Sequence, residues 1–362
     1  MIVGSIKEDL TKEKRVSMTP ETAKNLIGLG LKVIIEKDFA SHLGIRNKDY
    51  EKAGVEVKNS SIEVLDSCNL LMKVNCPSDD EINNLKENTI LLGMLNPSKN
   101  KNLINEIIKK NVKVFSLELL PRITRAQSMD VLSSQSNLAG YRAVIDSVAE
   151  FEKAVPMMMT AAGTVPAAKV LVIGAGVAGL QAIATAKRLG AIVSATDVRA
   201  ASKEQVESLG GKFLSVEGAE NLETEGGYAK EASDDFKKKQ EALLKETLKK
   251  IDIVICTALI PGKKAPIIIK KDMIDVMTSG SVIYDLAAIQ GGNSELTKAD
   301  EIVDANGVKI MGKTNILNKL PVSASNLYAK NVFNFVNNLF DKEKKSFEIK
   351  LEDEIIDKTK VK

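Results

Sequence analysis

The sequence predicts an α/β protein built from two parallel-sheet domains, and three observations carry that prediction. Short apolar runs alternate with helical periods along the chain, the pattern of parallel strands covered by helices on both faces. One run ends in Gly-x-Gly-x-x-Gly at Gly174, Gly176 and Gly179, with an Ala-rich helical stretch behind it. The length, 362 residues, is long for one domain and natural for two.

Composition narrows the class. A hydrophobic fraction of 44% beside 27% charged residues is that of a soluble globular protein. The net charge of +3 comes with no basic stripe interleaved with aromatics, so no nucleic-acid partner is expected. No apolar run reaches the roughly 18 residues that span a bilayer. Met1 to Glu8 enters a strand pattern directly, without a basic n-region, so no signal peptide is expected. Cys68, Cys76 and Cys256 are odd in number and lack metal-ligand spacing. They read as reduced, mostly buried thiols of a cytoplasmic protein, and no metal is expected.

In chain order, Ile2 to Ile6 is a strand. Thr19 caps the following helix, Pro20 takes its first position, Glu21 favours its positive end, and Gly30 ends it. Lys32 to Ile35, Leu70 to Val74, Thr89 to Gly93 and Val112 to Phe115 continue the strands. A helix over Gln135 to Phe151 leads into the second domain. There Val170 to Ile173 is a buried strand, Leu180 to Leu189 a helix stopped by Gly190, and Ala191 to Thr196 the next strand. Later strands are Lys212 to Val216, Ile253 to Thr257, Val282 to Leu286 and Val308 to Met311.

The stretch between Glu217 and Asp235 is too long and polar for a tight connection, so it is a lid or is disordered. Its Gly226-Gly227-Tyr228 step points to a mobile flap with one aromatic anchor. Ser323 to Phe340 is an amphipathic helix whose apolar positions are Leu327, Val332, Phe333, Phe335, Val336, Leu339 and Phe340. It is read as a return to the first domain, with a dimer-forming helix as the alternative. The tail from Asp341 to Lys362 is an edge strand or a partly disordered end. The domains are therefore 1–132 completed by 322–362, and 133–321 inserted between them.

The glycine motif has a mechanism. Gly174 permits the turn out of the strand, Gly176 lets backbone approach a pyrophosphate, and Gly179 lets helix and strand pack closely. The helix N-terminus offers N–H groups to phosphate. Asp197 follows about twenty residues on, where a carboxylate accepts from both ribose hydroxyls and repels a 2′-phosphate. The inserted domain is thus a Rossmann domain that prefers NAD(H). A second polar segment, Leu120 to Arg142, is either a solvated connector or a wall of an interdomain cleft.

Longer runs carry a resemblance. Pro121-Arg122-Ile123-Thr124-Arg125-Ala126-Gln127-Ser128-Met129-Asp130 is one, and Met157-Met158-Met159-Thr160-Ala161-Ala162-Gly163-Thr164-Val165-Pro166 is a second. Ala195-Thr196-Asp197-Val198-Arg199 and Thr257-Ala258-Leu259-Ile260-Pro261-Gly262 complete the set. With these the chain closely resembles, over nearly its whole length, the NAD(H)-binding subunit or domain of the proton-translocating NAD(P) transhydrogenases. The resemblance implies a Rossmann domain inserted into a flavodoxin-like domain, joined by long helices. It implies that Arg122, Asp130 and Ser133 hold the nicotinamide carboxamide end, and that Gln127 reaches towards a second nucleotide on the partner. It implies cofactor contacts at Gly174, Ala175, Gly176, Val177, Ala178, Gly179, Asp197, Val198, Arg199, Tyr228, Gln240, Ala258 and Leu259. The implied cofactors are NAD(H) here and NADP(H) on a partner. The implied partners are an NADP(H)-binding beta subunit, a membrane-spanning subunit and a second copy in a homodimer. The implied location is cytoplasmic, peripheral on the cytoplasmic face of the inner (plasma) membrane through those partners.

The chemistry fits. A dehydrogenase that makes a carbonyl moves a proton with its hydride, usually through His or Lys. Passage between two nicotinamides needs only near-attack geometry and exclusion of water. The single histidine, His42, reads as an ordinary loop residue. Alanine dehydrogenase, related in fold, is the alternative. Its substrate-binding Lys and Arg match Lys73 and Arg15, but its acid/base His position falls at Asn96, which exchanges no proton near neutral pH. Lys73 and Arg15 are then a structural pair. The run Asp285-Leu286-Ala287-Ala288-Ile289-Gln290-Gly291-Gly292 lacks the acidic residue the family often carries there.

Overall fold

A computed structural model of the chain describes residues 1–199, 201–216, 233–260 and 263–362. The expected flap with Tyr228 lies outside the described residues. The chain divides into two compact units, Met1–Gln135 with Leu317–Lys362, and Ser136–Ile316.

Among the described residues of the first unit, six strands form one sheet. They are β1 (Ile2–Ser5), β2 (Lys32–Glu36), β3 (Glu56–Lys58), β4 (Leu70–Met72), β5 (Ile90–Gly93) and β6 (Lys113–Ser116). All pair in parallel, in the order β3-β2-β1-β4-β5-β6. Without the short edge strand β3 this is the 2-1-3-4-5 order of a flavodoxin-like sheet. Every residue of β4 and β5 is buried, as continuous apolar runs in a doubly covered sheet require. Alternate residues supply the two faces: Val33, Ile35, Leu70, Met72, Leu92 and Phe115 join one core, and Ile34, Leu71, Leu91 and Val114 the other. The helix Pro20–Gly28 opens on Thr19, whose side chain accepts from the Thr22 N–H in a reciprocal capping box.

The helix Pro321–Leu339 spends its apolar face on the first of these cores, through Tyr328, Val332, Phe335, Val336 and Leu339. Phe335 packs on Phe115 with ring centroids 5.7 Å apart. Leu327, expected on this face, is 39% exposed, and Tyr328 takes the buried place. The tail also differs from expectation. A short antiparallel hairpin, Phe340–Asp341 with Ser346–Phe347, precedes a helix, Glu354–Thr359, capped by Asp353. Ile355 and Ile356 enter the same core. A six-residue helix carrying one adjacent apolar pair is too short to display a helical period.

In the second unit β7 (Met158–Thr160) and β8 (Gly163–Val165) form a hairpin of their own. The main strands are β9 (Lys169–Ile173), β10 (Ile192–Thr196), β11 (Lys212–Phe213), β12 (Ile253–Cys256), β13 (Val282–Asp285), β14 (Ile302–Ala305) and β15 (Val308–Met311). Their order is β11-β10-β9-β12-β13-β15-β14, parallel except for the edge strand β14. The order reverses between β9 and β12, so the loops leaving those two strands flank the topological switch point where ligands bind in such sheets.

Candidate functional site

The second unit builds a cradle at that switch point. β9 ends at Ile173 and Gly174 turns the chain at φ +92°, a left-handed conformation that Gly alone adopts freely. The helix Val177–Arg188 follows, and a Cβ on Gly179 would lie 1.9 Å from the Gly174 carbonyl oxygen. Gly176, the N-cap, offers no side chain to the first N–H groups, and nothing lies within 4 Å of a Cβ built on it. Open space over an uncapped helix N-terminus fits an anionic group. Val177 and Ala178 begin that helix, with Val177 exposed and Ala178 half-buried.

Asp197 stands just beyond β10 and reaches back to this turn. Its Oδ2 accepts from the Ala175 N–H at 2.7 Å. Arg199 donates its own N–H (2.9 Å), its Nε (2.9 Å) and its Nη2 (2.8 Å) to the same carboxylate. Burial would raise the Asp197 carboxyl, but the Arg199 guanidinium and the two backbone N–H groups outweigh it and hold it below the usual carboxylate range. The group is an ionised acceptor on the turn that leads to Gly176, with half-buried Val198 next to it. In Asp197→Ala, NADH binding is expected to weaken by about 1–3 kcal/mol, the loss of a charged acceptor. Titration of NADH fluorescence checks this, and an unchanged dissociation constant removes Asp197 from the site.

The loop after β12 closes the other side. Thr257 Oγ1 donates to the carbonyls of Ile173 (3.2 Å) and Gly174 (2.8 Å), which brings Ala258 against the glycine turn. Sequence reasoning missed what holds Ala258. Asn293 accepts from the Ala258 N–H at 3.0 Å and donates to the Ala258 carbonyl at 2.8 Å and the Pro266 carbonyl at 2.9 Å. Asp285, fully buried, in turn accepts from the N–H groups of Asn293 (2.7 Å) and Ala287 (2.9 Å) and from the Thr297 hydroxyl (2.6 Å). The acid of the Asp-Leu-Ala run is therefore spent on structure, and Ile289 further along that run is exposed. Leu259 is exposed beside Ala258, and Gln240 is half-buried on the helix Asp234–Leu248.

In the first unit the polar segment forms a 3-10 helix over Thr124–Met129. Ala126 and Met129 plug into the core, while Arg122 and Gln127 are exposed. Asp130 and Ser133 meet: Ser133 donates its N–H (2.9 Å) and its hydroxyl (2.5 Å) to the Asp130 carboxylate. That contact caps the helix Val131–Glu150, so the helix begins four residues before the Gln135 start read from the sequence. The boundary between the units falls inside this helix.

Lys73 and Arg15 lie in a buried polar cluster of the first unit, and internal carboxylates occupy both cations. Arg15 donates to Glu13 through Nε (2.8 Å) and Nη2 (2.7 Å) and to Gln135 Oε1 through Nη1 (3.0 Å). Lys73 Nζ donates to both oxygens of Glu81 at 2.8 and 3.0 Å and lies 3.7 Å from Glu8. Asn96 adopts a left-handed backbone at φ +49° and donates its N–H to Glu118. His42 is exposed, with Nε2 2.8 Å from the Lys14 carbonyl.

Comparison with known proteins bears on these features together. Residues 4–139 match the family described as "Alanine dehydrogenase/PNT, N-terminal domain", and residues 143–361 match "Alanine dehydrogenase/PNT, C-terminal domain". The chain is 51% identical to a Rhodospirillum rubrum protein named as the first of the pieces of an NAD(P) transhydrogenase subunit alpha, over 99% of this chain and 95% of that one. It superposes on the crystal structure of transhydrogenase from Sinorhizobium meliloti with a TM-score of 0.89 at 44% identity, covering 99% of this chain and 98% of the other. It also superposes on an L-alanine dehydrogenase with a TM-score of 0.79 at 23% identity, over 94% and 90% of the two chains, a likeness of fold.

Proposed function

The chain belongs to the alanine dehydrogenase/PNT family, and from that premise we propose that it is the NAD(H)-binding subunit of a proton-translocating NAD(P) transhydrogenase. The observation that carries this reading is the cradle of the second unit: open space over Gly176, an uncapped helix N-terminus, and the Asp197 carboxylate against Ala175. NAD(H), when bound, supplies the hydride. The chain's own work is positioning. The turn from Gly174 to Gly179 receives the pyrophosphate on backbone N–H groups, and Asp197 takes the ribose hydroxyls. Val198, Arg199, Tyr228, Gln240, Ala258 and Leu259 line the cofactor.

Arg122, Asp130 and Ser133 hold the carboxamide end of the nicotinamide, and Gln127 reaches to NADP(H) on the beta subunit. No residue in this set has to give up or take a proton, because hydride passage between two nicotinamides is proton-neutral. What it demands is near-attack geometry with water excluded. Asn96, at the position where the related amino acid dehydrogenases are expected to carry their acid/base histidine, favours this reading over amine oxidation. Among the described residues no helix is long and apolar enough to cross a membrane. In this reading proton movement belongs to membrane-spanning partners, with this subunit, as a homodimer, peripheral on the cytoplasmic face.

The deciding assay follows NADH oxidation by thio-NADP⁺ with and without a soluble NADP(H)-binding domain, and by pyruvate plus ammonium without it. Turnover is expected only with the partner domain. Oxidation by pyruvate and ammonium alone would overturn the reading in favour of alanine dehydrogenase. In the same assay Gln127→Asn, one methylene shorter, is expected to slow hydride transfer about tenfold or more while NADH affinity stays within about twofold. Equal loss of both, or of neither, counts against the role given to Gln127.

A further inference from the structure

We infer that Asn331 and Asn334 of the helix Pro321–Leu339, with Asn338 one turn on, are positioning residues for Gln127. The three stand at i, i+3 and i+7, which places them along one side of the helix. Asparagine is a poor helix former, and an ordinary solvated face would be built from better ones. Here each amide is used. Asn331 Nδ2 donates to the Ser128 carbonyl at 2.8 Å, and Asn334 Nδ2 donates to the same oxygen at 2.9 Å. One carbonyl oxygen has two acceptor sites, and both are filled. The Ser134 hydroxyl donates to Asn331 Oδ1 at 2.7 Å, which fixes the amide so that its Nδ2 faces Ser128. Asn331 is only 8% exposed, so this is a built contact.

Asn338 secures the other end of the same short segment. Its Nδ2 donates to Asp353 Oδ2 at 3.2 Å, and Asp353 forms the ion pair with Arg125. Ala126 and Met129 are sunk in the core between these two ties. Gln127 is therefore held by its backbone on both sides, through Arg125 and Ala126 before it and Ser128 and Met129 after it, while its side chain stays exposed. A side chain that must reach a fixed point on a second nucleotide needs that kind of mount. The inference rests on the hydride-transfer role proposed for Gln127.

The test is a double-mutant cycle on the full chain with the NADP(H)-binding partner present, reading the NADH to thio-NADP⁺ rate. Asn334→Ala is expected to slow transfer about tenfold, with melting temperature and NADH affinity unchanged. Backbone hydrogen exchange over residues 125–129 should rise in the same variant. In a Gln127→Asn background, Asn334→Ala should slow transfer no further, because both act through one side chain. Asn334→Asp keeps the shape and removes the donors, so it should reproduce the effect and serves if the alanine variant folds poorly. Slowing that multiplies with that of Gln127→Asn, or exchange equal to wild type, overturns the inference. Should Gln127→Asn alone leave the rate untouched, the role of Gln127 fails. Exchange then still decides the mount: a rise keeps Asn334 as the anchor of the loop, and no rise removes it.

Discussion

Lys73→Met is expected to destabilise the first unit by about 3–5 kcal/mol above neutral pH and by much less near pH 4.5, because it strips the cation from a buried carboxylate. Lys73 is 2% exposed, and its Nζ is shared between Glu81 and Glu8. Methionine fills similar volume without charge, so packing is largely kept. Burial pushes the Glu8 carboxyl up to about 7, against the pull of Lys73 and of the Val74 N–H that donates to it at 2.7 Å. The folded chain therefore holds a proton on Glu8 that the unfolded chain releases above its ordinary value of 4.5. Stability from this group is fully present below that value and is lost as pH rises through about 7. Removing Lys73 takes away one force that lowers this pKa, so the variant loses most where wild-type Glu8 is ionised and least where it is neutral in both states. Urea unfolding at several pH values measures this. A loss that does not vary with pH would place the role of Lys73 in packing and sink the electrostatic account.

This cluster also marks where sequence reading stops. Lys73 and Arg15 stand out in the sequence, yet their partners Glu8, Glu13 and Glu81 are ordinary charged residues in a chain full of them. Only the sheet topology brings β1, β4 and the segments after them to one place. The strands themselves are legible because a doubly covered parallel strand is apolar at every position, as β4, β5 and β12 are. The glycine turn is legible because its spacing is local: Gly174 takes a left-handed φ of +92°, and Gly179 packs on the Gly174 carbonyl five residues before it. The short edge strands β3 and β14 and the hairpin of β7 and β8 are not, since they carry few or no buried residues. Asn293 and the asparagines of the return helix are invisible for a further reason. Asn293, Asn331 and Asn334 each hold a backbone carbonyl far away in the chain, and an amide that anchors a loop reads in sequence like one that faces water.

The glycine turn permits the sharpest comparison of two neighbours. In Gly179→Ala the new Cβ would meet the Gly174 carbonyl oxygen at 1.9 Å and its carbon at 2.9 Å. These are backbone atoms, so no rotamer change relieves the clash. Gly174 cannot retreat, because its N–H donates to the Thr196 carbonyl at 2.9 Å and its carbonyl accepts from Thr257 at 2.8 Å. The helix Val177–Arg188 must lift from β9 instead, which displaces the N–H groups proposed to receive phosphate and loosens Ala175 from Asp197. The variant is expected to lose about 1–3 kcal/mol of stability, the usual cost of overpacking. It should also bind NADH at least about a hundredfold more weakly, or about 2.7 kcal/mol. Gly176→Ala should behave differently. Its Cβ meets nothing within 4 Å, so the melting temperature should match wild type. The methyl group then stands where the proposed site brings phosphates to backbone, and NADH binding should fall as far as in Gly179→Ala. Thermal melts with NADH titrations on the two variants decide the matter. A Gly179→Ala protein as stable as wild type would contradict the close helix approach. A Gly176→Ala protein with wild-type affinity would show that the open space over the helix N-terminus is not where the dinucleotide sits.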